Sequence, residues 1–225
     1  MFWRAKSPID QDDEIWQLEC WRWLLKYHGG VSALSQRTLV LPTQEHFQWP
    51  RLLGRALAEN VFAQVANYFN VNPTDFELVA QAESVNPVLA PLQVVVNAPV
   101  DAAGTFAVKG NRMQITYNPD LLKTPMKLVA TFAHEISHPL FSVPEDPPGG
   151  PDMEEFATDL AVIFFGFGTI SVNTTSNFVG FRDDATGTQG WSFDGLGYLS
   201  LAERTFALAV FSHLPAKMQR RSCRI

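Results

Sequence analysis

The sequence predicts an α+β fold: a small mixed sheet with an edge hairpin, packed on a helix and on a second helix that follows it. Three observations carry that prediction. Apolar residues recur at helical spacing in separate segments along the chain, and short runs with the alternation of strands lie between them. Thr105–Val108 and Arg112–Tyr117, joined through Lys109-Gly110-Asn111, read as a hairpin with a glycine-containing turn. The 225 residues, 46% hydrophobic and including 17 Phe and 6 Trp, can also fill a sizeable core, which does not fit a disordered or fibrous chain.

The elements follow in order. From Asp10 to Tyr27, Ile15, Leu18, Trp21, Leu24 and Leu25 mark a helix that Gly29-Gly30 stops. Thr38 to Leu41, ahead of Pro42, has the content of a short strand. Trp49 to Phe69 is helical through Leu52, Leu53, Ala56, Leu57, Val61, Val65 and Phe69. Phe76–Ala80 and Leu92–Val96 are expected to be extended, and the hairpin comes next. Thr124 as N-cap and Pro125 as first helical residue open a helix to about His138, which Pro139 ends or kinks. Val143 to Asp152, with four prolines and Gly149-Gly150, is a loop. A helix from about Asp152 to Phe167, an irregular stretch from Ser171 to Gly197 and a last helix from Leu201 to Leu214 complete the chain, and Lys217, Arg220, Arg221 and Arg224 read as a solvated tail.

Composition narrows the function classes. A formal charge of -6 and a pI near 5.3 argue against nucleic acid as a partner. The most apolar run, Leu160 to Val172, is shorter than the roughly 18 to 20 residues that span a bilayer, holds two glycines and follows Asp159, so it reads as a buried helix and no membrane partner is expected. The first residues lack the apolar core of a signal peptide, which makes the cytoplasm the expected location. Cys20 and Cys223 form no Cys-x-x-Cys pair and read as reduced thiols.

The chemistry concentrates in His134-Glu135-Ile136-Ser137-His138, an H-E-x-x-H motif near the end of a predicted helix. Residues four apart share a helix face, so both imidazoles can reach one metal while Glu135 projects toward a water on it. A catalytic zinc has three protein ligands and one open position, and the third is sought on the next helix. There Glu155 and Asp159 are again four apart and either can face the metal; Glu154 reads as a solvated neighbour, and both glutamates also suit a first helical turn.

H-E-x-x-H followed by E-x-x-x-D on the next helix resembles the thermolysin-like zinc peptidases, the gluzincins. The resemblance implies a zincin-like fold, with His134, His138 and Glu155 as zinc ligands, Glu135 as catalytic base and Asp159 holding a ligand histidine from behind. It also implies that the outer hairpin strand pairs with extended substrate; the small residues Ala102, Ala103 and Gly104 suit close backbone approach, or merely a strand entrance. Leu41-Pro42-Thr43, Ala103-Gly104-Thr105, Thr158-Asp159-Leu160, Gly166-Phe167-Gly168 and Leu196-Gly197-Tyr198-Leu199 are similar to an uncharacterised bacterial family with the same metal pattern. The whole chain then reads as a single domain: a helical and strand layer over residues 1–100, a metal-site core over 101–170, and a C-terminal loop, helix and basic tail over 171–225.

Two features depart from the peptidase pattern. Pro139 biases His138 away from helical geometry. The loop after His138 offers neither the Tyr nor the His that stabilises an oxyanion in such enzymes; Tyr198 is the leading candidate and His213 a weaker one, with His28 and His46 expected at the surface. The functional expectation is a zinc-dependent metallopeptidase acting on a peptide or protein substrate. The alternative is a non-catalytic zinc module that binds a partner's peptide in the same place.

Overall fold

The structure is a computed structural model that describes residues 7–81, 103–109, 112–174, 178–183, 188–193 and 197–222. It is an α+β fold with a small three-stranded mixed sheet and several helices. The backbone divides into two compact units, one formed by Met1–His46 with Ser137–Ile225 and the other by Phe47–Ile136.

The Phe47–Ile136 unit contains helix α3 (Gly54–Phe69), strands β1 (Phe76–Ala80), β2 (Gly104–Lys109) and β3 (Arg112–Tyr117), and most of helix α4 (Pro125–Ser137). Strand β3 is central, parallel to β1 and antiparallel to β2, with Phe106 opposite Ile115 and Gly104 opposite Tyr117. The hairpin expected from the sequence is therefore present; Gly110 and Asn111 of its turn, and the strand expected at Leu92–Val96, lie outside the described residues. Alternation puts Ile115 and Tyr117 on the buried face of β3. Helix α3 turns Ala58, Val61, Phe62, Val65 and Phe69 inward, and Phe62 meets Phe132 of α4 edge-on at 5.3 Å, with Tyr117 edge-on to Phe132 at 5.8 Å. These rings join helix, sheet and helix into one core. Helix α3 starts later than its periodicity predicts: Pro50 precedes it, and Leu53, at the N-cap, is 87% exposed.

The other unit is mainly helical. Helix α1 (Gln11–Tyr27) is capped by the Asp10 carboxylate, which accepts from the Asp12 and Asp13 N–H groups at 3.0 Å. Its buried face is Gln17, Cys20, Trp21, Trp23 and Leu24; Ile15 and Leu18 of the predicted stripe are exposed. Cys20 is free, and burial pushes its thiol up to about 12, which suits the inert thiol expected there. A short helix α2 (Gly30–Gln36) follows Gly29, whose φ of 84° only glycine adopts readily.

Four expectations are corrected in this unit. Thr38–Leu41 is not a strand: the segment runs extended against the break after helix α5 (Glu154–Val162), with the Val40 N–H donating to the Gly166 carbonyl at 2.8 Å and the Thr169 hydroxyl to the Val40 carbonyl at 2.5 Å. Gly166, at φ 102°, sits in a π-type turn (Ile163–Phe167), and the Val40 N–H takes up a carbonyl that the break releases. The helical path then resumes as α6 (Gly168–Thr174) instead of ending at Phe167. The stretch from Ser171 to Gly197 is not irregular, because β4 (Phe178–Asp183) pairs antiparallel with β5 (Thr188–Phe193); its polar content masked the strands. The last helix, α7 (Leu201–Ser222), is longer than predicted. Pro151–Thr174 is long and apolar enough to cross a membrane by length and composition, and 78% of its most apolar window is buried, as in a core helix.

Candidate metal centre

Helix α4 begins where the sequence places it. The Thr124 carbonyl accepts from the Lys127 and Leu128 N–H groups at 2.9 and 3.2 Å, and Pro125, lacking an N–H, occupies a position that needs none. Leu128, Val129, Phe132, Ala133 and Ile136 are fully buried and fix the rotation of the helix. That rotation decides where His134, Glu135 and His138 point. After Ser137 the chain tightens into a 3-10 turn over His138–Phe141 that contains Pro139. The effect of Pro139 is thus a change of helix type at the second histidine, and the imidazoles stay together.

One ligand atom from each of His134, His138 and Glu155 lies within 4.8 Å of the other two, and among the described residues this is the only such group of His, Cys, Asp and Glu. His138 Nε2 is 3.8 Å from Glu155 Oε2. Tetrahedral zinc with bonds of about 2.0–2.2 Å separates N and O ligands by about 3.4 Å, so a small inward movement of this pair meets the requirement. Two imidazole nitrogens and a carboxylate oxygen are also the donor set zinc favours in sites that keep one position open. The residues fit the metal.

Glu154 is closer to the chemistry than expected from the sequence. Its Oε1 lies 3.7 Å from Nδ1 of His138, so the imidazole stands between two carboxylates, with Nε2 toward Glu155 and Nδ1 toward Glu154. A ligating histidine usually donates its second N–H to such a group, which fixes ring orientation and tautomer. Adjacent glutamates at a helix start were the available signal, and dipole preference explained them equally well.

Asp159 is 2% exposed. Its Oδ2 accepts from the Tyr198 N–H at 2.5 Å, the Leu199 N–H at 2.9 Å and the Arg204 guanidinium at 2.7 Å. Arg204 also donates to the Leu199 carbonyl at 2.9 Å and to the Ser171 hydroxyl. Burial lowers the Arg204 pKa from its usual value, and the charge of Asp159 opposes that shift. The turn needs Gly197, at φ 91°, because a Cβ there would fall 2.5–2.6 Å from both Asp159 oxygens. Arg204 and Ser171 gave no sequence signal, since their partners are far along the chain.

Glu135 is 5% exposed, and the first residue of β2 presses on it. A Cβ at Gly104 would lie 3.0 Å from Glu135 Oε1, 2.6 Å from Thr131 Cγ2 and 3.0 Å from the Thr116 carbonyl. Gly104 is therefore set by packing within the chain, where no side chain fits. Tyr198 is 53% exposed, with its ring 5.7 Å from that of Phe156, the residue after Glu155. His213 lies exposed on α7 with Nδ1 2.9 Å from the Ala209 carbonyl. His28, expected at the surface, is half-buried; burial, aided by the nearby Arg37 charge, lowers its pKa to about 4.

No family model, curated protein or solved structure matches the chain.

The loop between His138 and Glu155 is held from α1. Trp16 Nε1 donates to the Pro148 carbonyl at 2.8 Å and Trp23 Nε1 to the Glu145 carbonyl at 3.1 Å. Lys26 pairs with Glu145 at 2.6 Å, but both side chains are more than half exposed and such a pair holds the loop only weakly. The indole bonds are the stronger determinants of where the loop delivers Glu154 and Glu155.

Proposed function

We propose that the protein is a zinc-dependent hydrolase, a metallopeptidase with a zincin-like, gluzincin-type site, acting on a peptide or protein substrate in the cytoplasm without a nucleic-acid or membrane partner. The observation that carries this reading is the convergence of His134, His138 and Glu155 with the buried Glu135 in the same motif. Zinc held there would supply Lewis acidity to a water and to the scissile carbonyl.

Glu135 takes the proton of the attacking water and passes it to the leaving amine, as a carboxylate in hydrogen-bond reach of the water can. Glu154 orients His138, while Arg204 fixes Asp159 behind the site. Strand β2 is an edge among the described strands, and an extended substrate adding to it passes Gly104 and so reaches Glu135. Tyr198, exposed beside the start of α5, is the candidate for stabilising the oxyanion.

The reading is tested first by metal content. Elemental analysis of wild type, His138→Ala and Glu155→Ala should find zinc in the wild type and loss of it in both variants. Equal zinc in all three proteins would remove the ligand assignment.

A further inference from the structure

A second polar cluster lies at the end of α2 and is unrelated to the metal ligands. The Arg37 guanidinium sits 4.0 Å from the centroid of the Phe165 ring and 4.8 Å from that of Phe164. His28 packs on the same two rings, at 5.4 and 6.0 Å, and Trp21 meets Phe164 at 5.6 Å. Stacking on aromatic faces stabilises a cation but satisfies none of its in-plane N–H groups. Arg37 Nε, His28 Nε2 and Trp21 Nε1 are each buried without a hydrogen-bond partner among the described residues.

Among the described residues the cluster also lacks a counter-charge. Lys26, Arg55, Lys123 and Arg204 all have a carboxylate within ion-pair distance, whereas no Asp or Glu among the described residues pairs with Arg37. Burial lowers the Arg37 pKa from its usual value. A guanidinium partly withdrawn from water is stabilised by an anion beside it, because uncompensated charge is costly to desolvate. A water molecule could satisfy the N–H donors but not the charge. His28, held neutral by burial, lies beside the guanidinium without adding charge. Both Arg37 and His28 keep part of their side chains exposed, so the cluster lies near the surface.

We propose that Arg37 and His28 form an anion site that takes one oxyanion group, the carboxylate or phosphate of a small molecule, with the Phe164 and Phe165 rings as its floor. Arg37 supplies the charge and donors in its guanidinium plane, a geometry suited to either group.

Titration of the full chain with inorganic phosphate and, separately, with acetate, against chloride at matched ionic strength, tests the site. The Arg37 Nε–H cross-peak in a nitrogen-edited NMR spectrum should move saturably with at least one anion. A response to phosphate alone assigns a phosphorylated ligand; a response to both admits carboxylates. Arg37→Met keeps the aliphatic packing and should weaken binding by about ten- to a hundred-fold, the range for a lost charge-assisted pair. In chloride the variant should melt no lower than wild type, since it removes an uncompensated charge, and the anion should raise the melting temperature of wild type alone. No saturable movement with either anion, or an equal rise in melting temperature for Arg37→Met, would overturn the proposal.

Discussion

Gly104 lies against the Glu135 carboxylate so closely that a Cβ on it would stand 3.0 Å from Oε1. The contact brings an edge strand to the carboxylate proposed as catalytic base, and it restricts position 104 to the one residue without a side chain. Gly104→Ala should lower hydrolysis by more than about ten-fold while destabilising the fold by about 1–3 kcal/mol, the cost of overpacking a tight site. Steady-state kinetics with a denaturant titration checks both. An alanine protein with wild-type turnover would show that the strand position does not matter to the chemistry.

Glu154→Gln keeps side-chain size and removes the charge facing His138 Nδ1. Zinc affinity should fall by about ten- to a hundred-fold, the usual loss when a ligating histidine loses its orienting carboxylate. Competition with a chromophoric chelator measures this directly. An unchanged affinity would return Glu154 to the solvated role its sequence context suggests.

Arg204→Met leaves the buried Asp159 carboxylate without its cation, which should cost about 3–5 kcal/mol. Asp159→Ala should cost a similar amount, so the two should be strongly non-additive when combined. A double-mutant cycle by chemical denaturation gives the coupling. Additive effects would mean that the pair does not act as a unit.

The H-E-x-x-H helix, the hairpin and the acidic helix start could be read from the sequence because each is a local pattern: i to i+4 spacing, alternation around a turn, and carboxylates at a helix start. The Asp159–Arg204 pair could not, since the two residues are 45 positions apart and meet only once α7 packs beside α5. The failure at Thr38–Leu41 has the same origin. Its extended backbone hydrogen-bonds to a broken helix, and a strand and such a segment look alike until the partner is known. Helix α1 shows the converse, a clear apolar stripe whose register is shifted by the large indoles of Trp21 and Trp23, which leaves Ile15 and Leu18 outside.

His28 makes stability depend on pH. Its folded pKa of about 4 lies below the ordinary 6.5, so above pH 6.5 it is neutral in both states and has no effect. Between pH 6.5 and 4 the unfolded chain takes up a proton that the folded protein refuses, and stability falls as pH falls. Below pH 4 both states are protonated and the loss is complete. The residue keeps some contact with water, so the loss is about 1–2 kcal/mol after allowance for screening. Denaturation of wild type and His28→Gln across this range should show the extra slope in the wild type only; parallel curves would remove His28 as its source.

The most direct measurement is hydrolysis of a peptide library by zinc-loaded wild type and Glu135→Gln. The substitution leaves all three proposed ligands and the size of the side chain unchanged, so zinc content and melting temperature should hold. Cleavage should fall by about a hundred- to ten-thousand-fold, the range for loss of a general acid–base group. Equal cleavage by the two proteins would contradict the account, and so would a zinc-loaded wild type that binds extended peptides and cleaves none, the behaviour of a non-catalytic module.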